Sequence, residues 1–352
     1  MNIRYKDHLI LFNSTVRKAL VKLNGLGLDA ILFVINKDFK LIGSLTDGDI
    51  RRGLIKGHNI NDEVQLFIQE NPKYIKNELI DINEIIQLRK NRFKLIPIVD
   101  QDFKVINILN FRLVKSFIPV DVVIMAGGRG ERLKPLTDEV PKPLLIVGDK
   151  TIIEHNIDRL ISYGIFKYHI TLGYLPDLIK NHLGDGKYKG ISINYITEDK
   201  RMGTIGSVSK INNIENDYIL LTNSDILTNI NYEDFYLDCI SKNADMSVVS
   251  IPYNVDIPYA VLSSKDDDDK ICSFVEKPSY TYYSNGGIYL IKKSILNKIP
   301  KNKFYNSTDL MNLLIKENHN IISYKTSDYW LDIGKHQDFK KANNDIDRIN
   351  FN

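Results

Sequence analysis

Residues 126–137, Ala126-Gly127-Gly128-Arg129-Gly130-Glu131-Arg132-Leu133-Lys134-Pro135-Leu136-Thr137, gather three glycines and two arginines into one short stretch. Glycines let a backbone approach phosphate oxygens and offer its N–H donors, and the guanidinium of Arg132 adds a planar fork that grips two oxygens at once. The chemistry expected of this stretch is phosphate binding. Two common phosphate loops are excluded by spacing. A dinucleotide fingerprint needs glycine at position 133, where Leu133 stands, and a Walker loop needs Gly-Lys-Ser/Thr, which is absent here. The loop follows residues 120–125, apolar but for Asp121 and suited to a buried parallel strand.

With Pro141-Lys142-Pro143-Leu144 behind it, this loop resembles the signature of sugar-1-phosphate nucleotidyltransferases, Gly-x-Gly-Thr-Arg-Leu-x-Pro-Leu-Thr followed by Pro-Lys-Pro. Glu131, standing for the usual threonine, is the one departure. The resemblance implies an α/β catalytic domain over 119–352, Rossmann-like, with a mixed, mostly parallel sheet and helices on both faces. It implies that Ala126, Gly127, Gly128 and Gly130 hold the nucleotide, with Arg132 and Lys142 in catalytic roles. Later family motifs follow in order. Asp225, in Asn223-Ser224-Asp225, and Asp332, in Trp330-Leu331-Asp332-Ile333-Gly334, match the two carboxylates that hold Mg2+ in the family. Phe274-Val275-Glu276-Lys277-Pro278 matches an element whose glutamate accepts sugar hydroxyls and whose lysine holds the attacking phosphate. Asn285 and Gly286 fall on the next sugar-contacting strand, and Tyr259 begins a Tyr-Ala-Val triplet where the family has Tyr-Gly-Val.

The base-reading segment of the family resembles Tyr195-Ile196-Thr197-Glu198 followed by Met202-Gly203-Thr204. Relatives that use uracil or thymine place glutamine at the position of Glu198. Guanine presents two adjacent donors, which an ionised carboxylate accepts together, so Glu198 favours GTP, with Gly203 and Thr204 beside the base. The expected products are a nucleotide sugar and pyrophosphate. The expected substrates are GTP and glucosamine 1-phosphate, as in the guanylyltransferases of bacterial legionaminic acid synthesis that make GDP-glucosamine for a surface glycan. Mannose- or heptose-1-phosphate guanylyltransferase and glucose-1-phosphate thymidylyl- or uridylyltransferase are the alternatives. A non-catalytic nucleotide-sensing scaffold is the rival from another class.

The elements ahead of this domain repeat. Residues 34–42 match residues 98–106 at a constant offset of 64, with an Asp-Phe pair between two apolar runs in each. Each copy predicts a strand, a polar turn, a second strand and a helix, with helical segments ahead of them at about 14–25 and 82–90. The repeat resembles a tandem pair of CBS domains, an α/β module over residues 1–118 with copies at about 1–62 and 63–118. That resemblance assigns Thr46 and Asp49 to an adenine nucleotide, whereas the aligned Asn110 and Leu113 provide no ribose acceptor. A helix cap explains Thr46 equally well, and the pair could serve dimerisation instead, so a homo-oligomer is expected. Pro119 marks the boundary between the two parts.

Composition excludes other classes. Lys and Arg number 47 against 44 Asp and Glu, a formal charge of +3 with no basic block, which gives no nucleic-acid or membrane surface. The two cysteines, Cys239 and Cys272, lie far apart and read as reduced thiols. No apolar stretch has the length of a signal or a span, so a cytoplasmic location is expected. The acidic run at 266–269 reads as a solvated hairpin turn between two strands.

Overall fold

The computed structural model describes residues 5–77, 81–264 and 269–349. The chain divides into two compact units. One comprises Met1–Pro119 with Leu160–Phe166 and Gly186–Ile191, and the other comprises Val120–Arg159, Lys167–Asp185 and Ser192–Asn352.

In the first unit the sequence repeat reappears as local chemistry. Asn36 Oδ1 accepts hydrogen bonds from the N–H groups of Asp38 and Lys40, both at 2.9 Å. Sixty-four residues later, Asp100 Oδ1 accepts from Asp102 at 3.0 Å and Lys104 at 2.9 Å. These are side-chain-mediated turns of the kind Asn and Asp favour. Each turn holds its phenylalanine, Phe39 and Phe103, at a φ near +64° and +63°. The turns join strands Leu32–Ile35 to Leu41–Leu45 and Leu95–Val99 to Val105–Asn110. The two hairpins meet tip to tip, with Leu41 N–H donating to Phe103 O at 2.9 Å and Val105 N–H to Phe39 O at 3.2 Å.

The copies then diverge, and one expectation is corrected. The first copy continues into helix Asp47–Ile55, but the second ends in a turn at residues 111–113 with no helix. Asn110 stands at the place of Thr46. It is 1% exposed, its amide donates to Asp29 at 2.9 Å, and its Oδ1 takes the N–H of Arg112 at 2.9 Å. Its carbonyl takes the Val114 N–H at 3.0 Å, so one turn is capped and formed, and the chain then leaves the helical path as Lys115 N–H donates to Ser162 O at 2.5 Å and Ile118 N–H to Tyr163 O at 3.0 Å.

The second unit is built on a seven-stranded sheet. Its strand order is Ser192–Thr197, Lys167–Leu172, Val120–Ala126, Tyr218–Asn223, Ser279–Lys292, Met246–Asp256 and Ile321–Lys325. Only Ser279–Lys292 runs against its neighbours, so the sheet is mixed and mostly parallel. Every residue of Val120–Ala126 is buried; all are apolar but Asp121, whose Oδ2 accepts the N–H groups of Glu215 at 3.0 Å and Asn216 at 2.8 Å. Nucleotides bind at the carboxyl ends of such strands, and the loops at 127–130, 173–175, 198–204 and 223–225 all leave from those ends.

A separate small core lies under these loops. Leu133, Leu145, Val147, Ile152, Leu227 and Ile333 cluster there, fully or almost fully buried. Each of the first two and the last two stands one to three residues from a charged side chain of the motifs: Arg132, Lys142, Asp225 and Asp332. This core is the platform that aims them.

Candidate active site

The glycine loop is constrained by close approach on two sides. A β-carbon on Gly173 would lie 2.6 Å from Gly127 O, and one on Gly127 would lie 3.3 Å from Glu198 Oε1. The backbone at 127 thus passes between the neighbouring strand's loop and the Glu198 carboxylate. Ala126, just before it, is buried in the strand and paired with Leu172. Gly130 has a φ of +66°, where a side chain is strained. Its carbonyl takes the Thr137 hydroxyl at 2.8 Å and the Leu133 N–H at 2.9 Å, which folds the loop back towards Lys142. Gly128 is exposed, and a β-carbon there would meet nothing.

The charged groups meet through a ladder that joins distant parts of the chain. Strand Ile226–Thr228 pairs antiparallel with Trp330–Asp332, Ile226 opposite Asp332, and Ile333 N–H donates to Asp225 O at 3.0 Å. Asp225 and Asp332 are therefore held side by side. Lys142, 8% exposed, donates to Asp225 Oδ2 and has its Nζ 3.7 Å from Asp332 Oδ1. Arg132 lies on the other side, its Nη2 3.1 Å from where a β-carbon on Gly334 would be. Burial, and next the Asp225 carboxylate, hold the Asp332 carboxyl above the usual carboxylate range, with Lys142 and Arg132 opposing.

One oxygen on each carboxylate, Asp225 Oδ1 and Asp332 Oδ1, is buried without a hydrogen-bond partner. Buried acceptors of this kind call for a cation or a donor. No group of three or more His, Cys, Asp or Glu side chains is arranged to hold a metal among the described residues. The donor set is thus two carboxylates, which fits a magnesium ion that keeps water and takes its other ligands from phosphates.

A cleft of about 260 Å³ opens beside this cluster, lined among others by Gly127, Gly128, Lys142, Glu198, Gly203 and Thr204. Glu198 stands at the end of its strand. Its N–H donates to Leu172 O at 2.8 Å, and its Oε2 takes the N–H of Met202 at 3.3 Å. The 202–206 loop is fixed against residues 303–307. Tyr305 N–H donates to Met202 O at 2.9 Å, Ile205 N–H to Tyr305 O at 3.1 Å, and Ser307 N–H to the Thr204 hydroxyl at 2.8 Å. Gly203, at φ +76°, has room for no side chain, since a β-carbon would lie 2.6 Å from Tyr305 O.

Sequence reasoning missed several lining residues. Asn306, whose Oδ1 accepts from Thr204 N–H at 3.2 Å, lines the cleft together with Phe304 and Asn223. Nothing in the Phe304-Tyr305-Asn306 stretch signals chemistry. Gly287 was missed as well: it has a φ of +69°, and a β-carbon there would lie 2.6 Å from Asn223 Nδ2. The Gly286-Gly287 pair was a usable signal.

The sugar-phosphate candidates stand differently. Tyr259, Glu276 and Lys277 are exposed on a segment beyond the sheet and do not line the cleft. Asn285 accepts from Gly287 N–H at 2.9 Å, and Gly286 O takes the Trp330 indole N–H at 2.8 Å, which secures this strand to the Asp332 ladder. The structure brings the nucleotide and metal candidates together and leaves Tyr259, Glu276 and Lys277 outside. Of the acidic run, residues 266–268 lie outside the described residues, and strands Val261–Ser264 and Ile271–Val275 on either side of it pair antiparallel.

In the first unit, Thr46 and Asp49 form a closed capping box. Asp49 is 8% exposed, and its Oδ2 accepts from the Thr46 N–H at 2.9 Å and the Thr46 hydroxyl at 2.6 Å, while Arg52 donates to its Oδ1. Both side chains are thereby engaged as a helix start.

Comparison with known proteins agrees with this fold. Residues 121–348 match the Nucleotidyl transferase family, and the chain belongs to it. Residues 10–56 match the CBS domain family, so the first repeat is a CBS domain. Among relatives, the chain is 28% identical to a mannose-1-phosphate guanylyltransferase of Mycobacterium tuberculosis over 65% of each chain, and thus spans less than two thirds of that protein's length. It is 27% identical to a D-glycero-alpha-D-manno-heptose 1-phosphate guanylyltransferase of Aneurinibacillus thermoaerophilus, over 64% of this chain and 98% of that one. Among solved structures, HddC from Yersinia pseudotuberculosis complexed with GMP-PN superposes with a TM-score of 0.51 at 26% identity, covering 64% of this chain and 99% of that one. Among the described residues no helix is long and apolar enough to cross a membrane.

Proposed function

We propose that this chain is a sugar-1-phosphate guanylyltransferase, which joins GTP and a sugar 1-phosphate into a GDP-sugar with release of pyrophosphate. The observation that carries the reading is the cluster of Lys142, Asp225, Asp332 and Arg132 beside a glycine-lined cleft whose far wall presents Glu198. The named guanylyltransferase relatives support the base. They also favour a manno-configured sugar phosphate, mannose or manno-heptose, over the glucosamine 1-phosphate of legionaminic acid synthesis.

Each residue then has a task. The loop at 127–130 presents backbone donors to the triphosphate. Glu198 accepts the two donors of guanine, with the 203–204 backbone beside it. Arg132 neutralises the departing pyrophosphate, and Lys142 the charge near the α-phosphate. Lys277 and Glu276, carried on their exposed segment, would take the sugar phosphate and its hydroxyls once that substrate is in place. Asp225 and Asp332 are the residues that would hold Mg2+, whose charge offsets that of the phosphates. No general base is required, because the attacking phosphate oxygen is already ionised, so acceleration comes from position and charge.

Pyrophosphate release on mixing the purified chain with GTP, mannose 1-phosphate and magnesium tests the reading. Asp225→Asn should abolish the signal while leaving the circular dichroism spectrum and melting profile those of a folded protein. Near-normal turnover in that variant would sink the assigned site.

A further inference from the structure

We propose that Arg201 is a further specificity-determining residue, whose guanidinium grips O6 and N7 of guanine while Glu198 holds the base by its two donors. This inference rests on the guanylyltransferase reading and assigns the part of the base that Glu198 leaves unread. A carboxylate accepts the ring N–H and the exocyclic amine of guanine. Two acceptors, O6 and N7, remain on the adjoining edge. They call for two donors at a fixed spacing.

The two sides of Glu198 set the orientation of the base. Its Oε1 lies 3.3 Å from where a β-carbon on Gly127 would be, and its Oε2 takes the N–H of Met202 at 3.3 Å. In guanine the exocyclic amine lies on the edge that flanks the ribose, and O6 and N7 lie on the other edge. The ribose leads to the triphosphate, so it must leave towards the glycine loop at 127–130. The amine therefore meets Oε1, in the space that the missing side chain of Gly127 leaves open, and the ring N–H meets Oε2. O6 and N7 then face away from the loop, towards residues 201–203.

Few donors are available on that side. Met202 N–H is committed to Glu198, and Thr204 N–H to Asn306 Oδ1 at 3.2 Å. Lys142 is bonded to Asp225. The N–H of Gly203 alone reaches one acceptor at most. Arg201 directly precedes Met202 and is exposed. It lines both the cleft of about 260 Å³ and a neighbouring cleft of about 500 Å³, which share Gly127, Gly128 and Glu198. Among the described residues no hydrogen bond or ion pair engages its guanidinium. The planar fork of an arginine matches the spacing of O6 and N7, the commonest specific contact made to guanine in base recognition. Adenine would turn its amine donor against the fork, and uracil and thymine have no N7. Glu198 and Arg201 together thus select guanine at both edges.

The test is initial-rate pyrophosphate release with GTP and with 7-deaza-GTP, which carries carbon in place of N7, for the native protein and Arg201→Ala. The native enzyme should prefer GTP to 7-deaza-GTP roughly tenfold, the worth of one hydrogen bond to a charged group. Arg201→Ala should lower kcat/KM for GTP by roughly 5- to 150-fold, the worth of a bidentate contact to guanine. The loss should fall on KM, with kcat near its native value, and the variant should use the two nucleotides about equally. A native enzyme indifferent to N7, or a variant within twofold of native on GTP, overturns the proposal. So does an equal loss on both nucleotides, the mark of a phosphate contact or of a disturbed 202–206 loop. A native preference for UTP or dTTP would overturn the guanylyltransferase reading and this inference with it, whereas a native preference for GTP combined with any of those results removes the role of Arg201 alone.

Discussion

Glu198→Gln probes the base assignment most finely, because the structure constrains how the new amide must sit. Glu198 Oε2 already accepts the N–H of Met202 at 3.3 Å, and Gly127 passes close to Oε1. In the glutamine variant the amide oxygen must keep the Met202 contact, since an NH2 there would face another donor. The NH2 is then turned towards the cleft, where guanine presents two donors of its own. The variant loses at least one charge-assisted hydrogen bond, about 1.5–3 kcal/mol, equivalent to a roughly 10- to 150-fold fall in kcat/KM for GTP at about 1.4 kcal/mol per decade. For uracil or thymine, which offer an acceptor beside their single donor, the same NH2 is an aid, so UTP should gain relative to GTP. The assay is initial-rate pyrophosphate release with GTP and UTP in turn at saturating sugar phosphate. A variant whose kcat/KM for GTP stays within a factor of two of the native value would refute the claim that Glu198 reads the base.

Three further outcomes are expected. Asp332→Asn should abolish turnover yet raise the melting temperature in the absence of magnesium. Its carboxyl is held above its unfolded value, so its contribution to stability is full at acid pH and is lost as pH rises through the folded value. At neutral pH the ionised group is a cost, so its removal should raise Tm; a lower Tm in the variant would contradict the reading. Gly203→Ala places a β-carbon 2.6 Å from Tyr305 O at a φ of +76°, and should cost about 1–3 kcal/mol in a urea melt and raise the KM for GTP. Asp49→Ala opens the capping box and should lower the stability of the first unit by about 1–2 kcal/mol while leaving kcat for GTP and sugar phosphate at its native value.

Much of the site was legible as types and order, and less as geometry. The glycine loop announced itself because only glycine suits backbone running against Gly173 and Glu198, and the turn pairs at Asn36 and Asp100 because Asx chemistry is local. The contact of Asp225 with Asp332 was inferred from motif resemblance, since two short strands a hundred residues apart carry no signal of pairing. Asn306 and Phe304 were invisible for the same reason: their place depends on how the 202–206 loop packs. The missing helix of the second repeat was not legible because Asn110 does cap a turn, and what ends that turn is the capture of the Lys115 and Ile118 N–H groups by the carbonyls of Ser162 and Tyr163, far along the chain. Tyr259, Glu276 and Lys277 were readable as a motif, yet their distance from the cleft was not, because a ribbon that leaves its sheet has the same alternation as one that stays.

The central claim is that this chain transfers guanylate to a manno-configured sugar phosphate. An equimolar mixture of GTP, UTP, dTTP, CTP and ATP with mannose 1-phosphate and magnesium, analysed by mass spectrometry of the nucleotide sugars formed, tests it most directly. GDP-mannose as the dominant product is the predicted result. A dominant UDP- or dTDP-sugar, or turnover only when glucose 1-phosphate replaces mannose 1-phosphate, would contradict it.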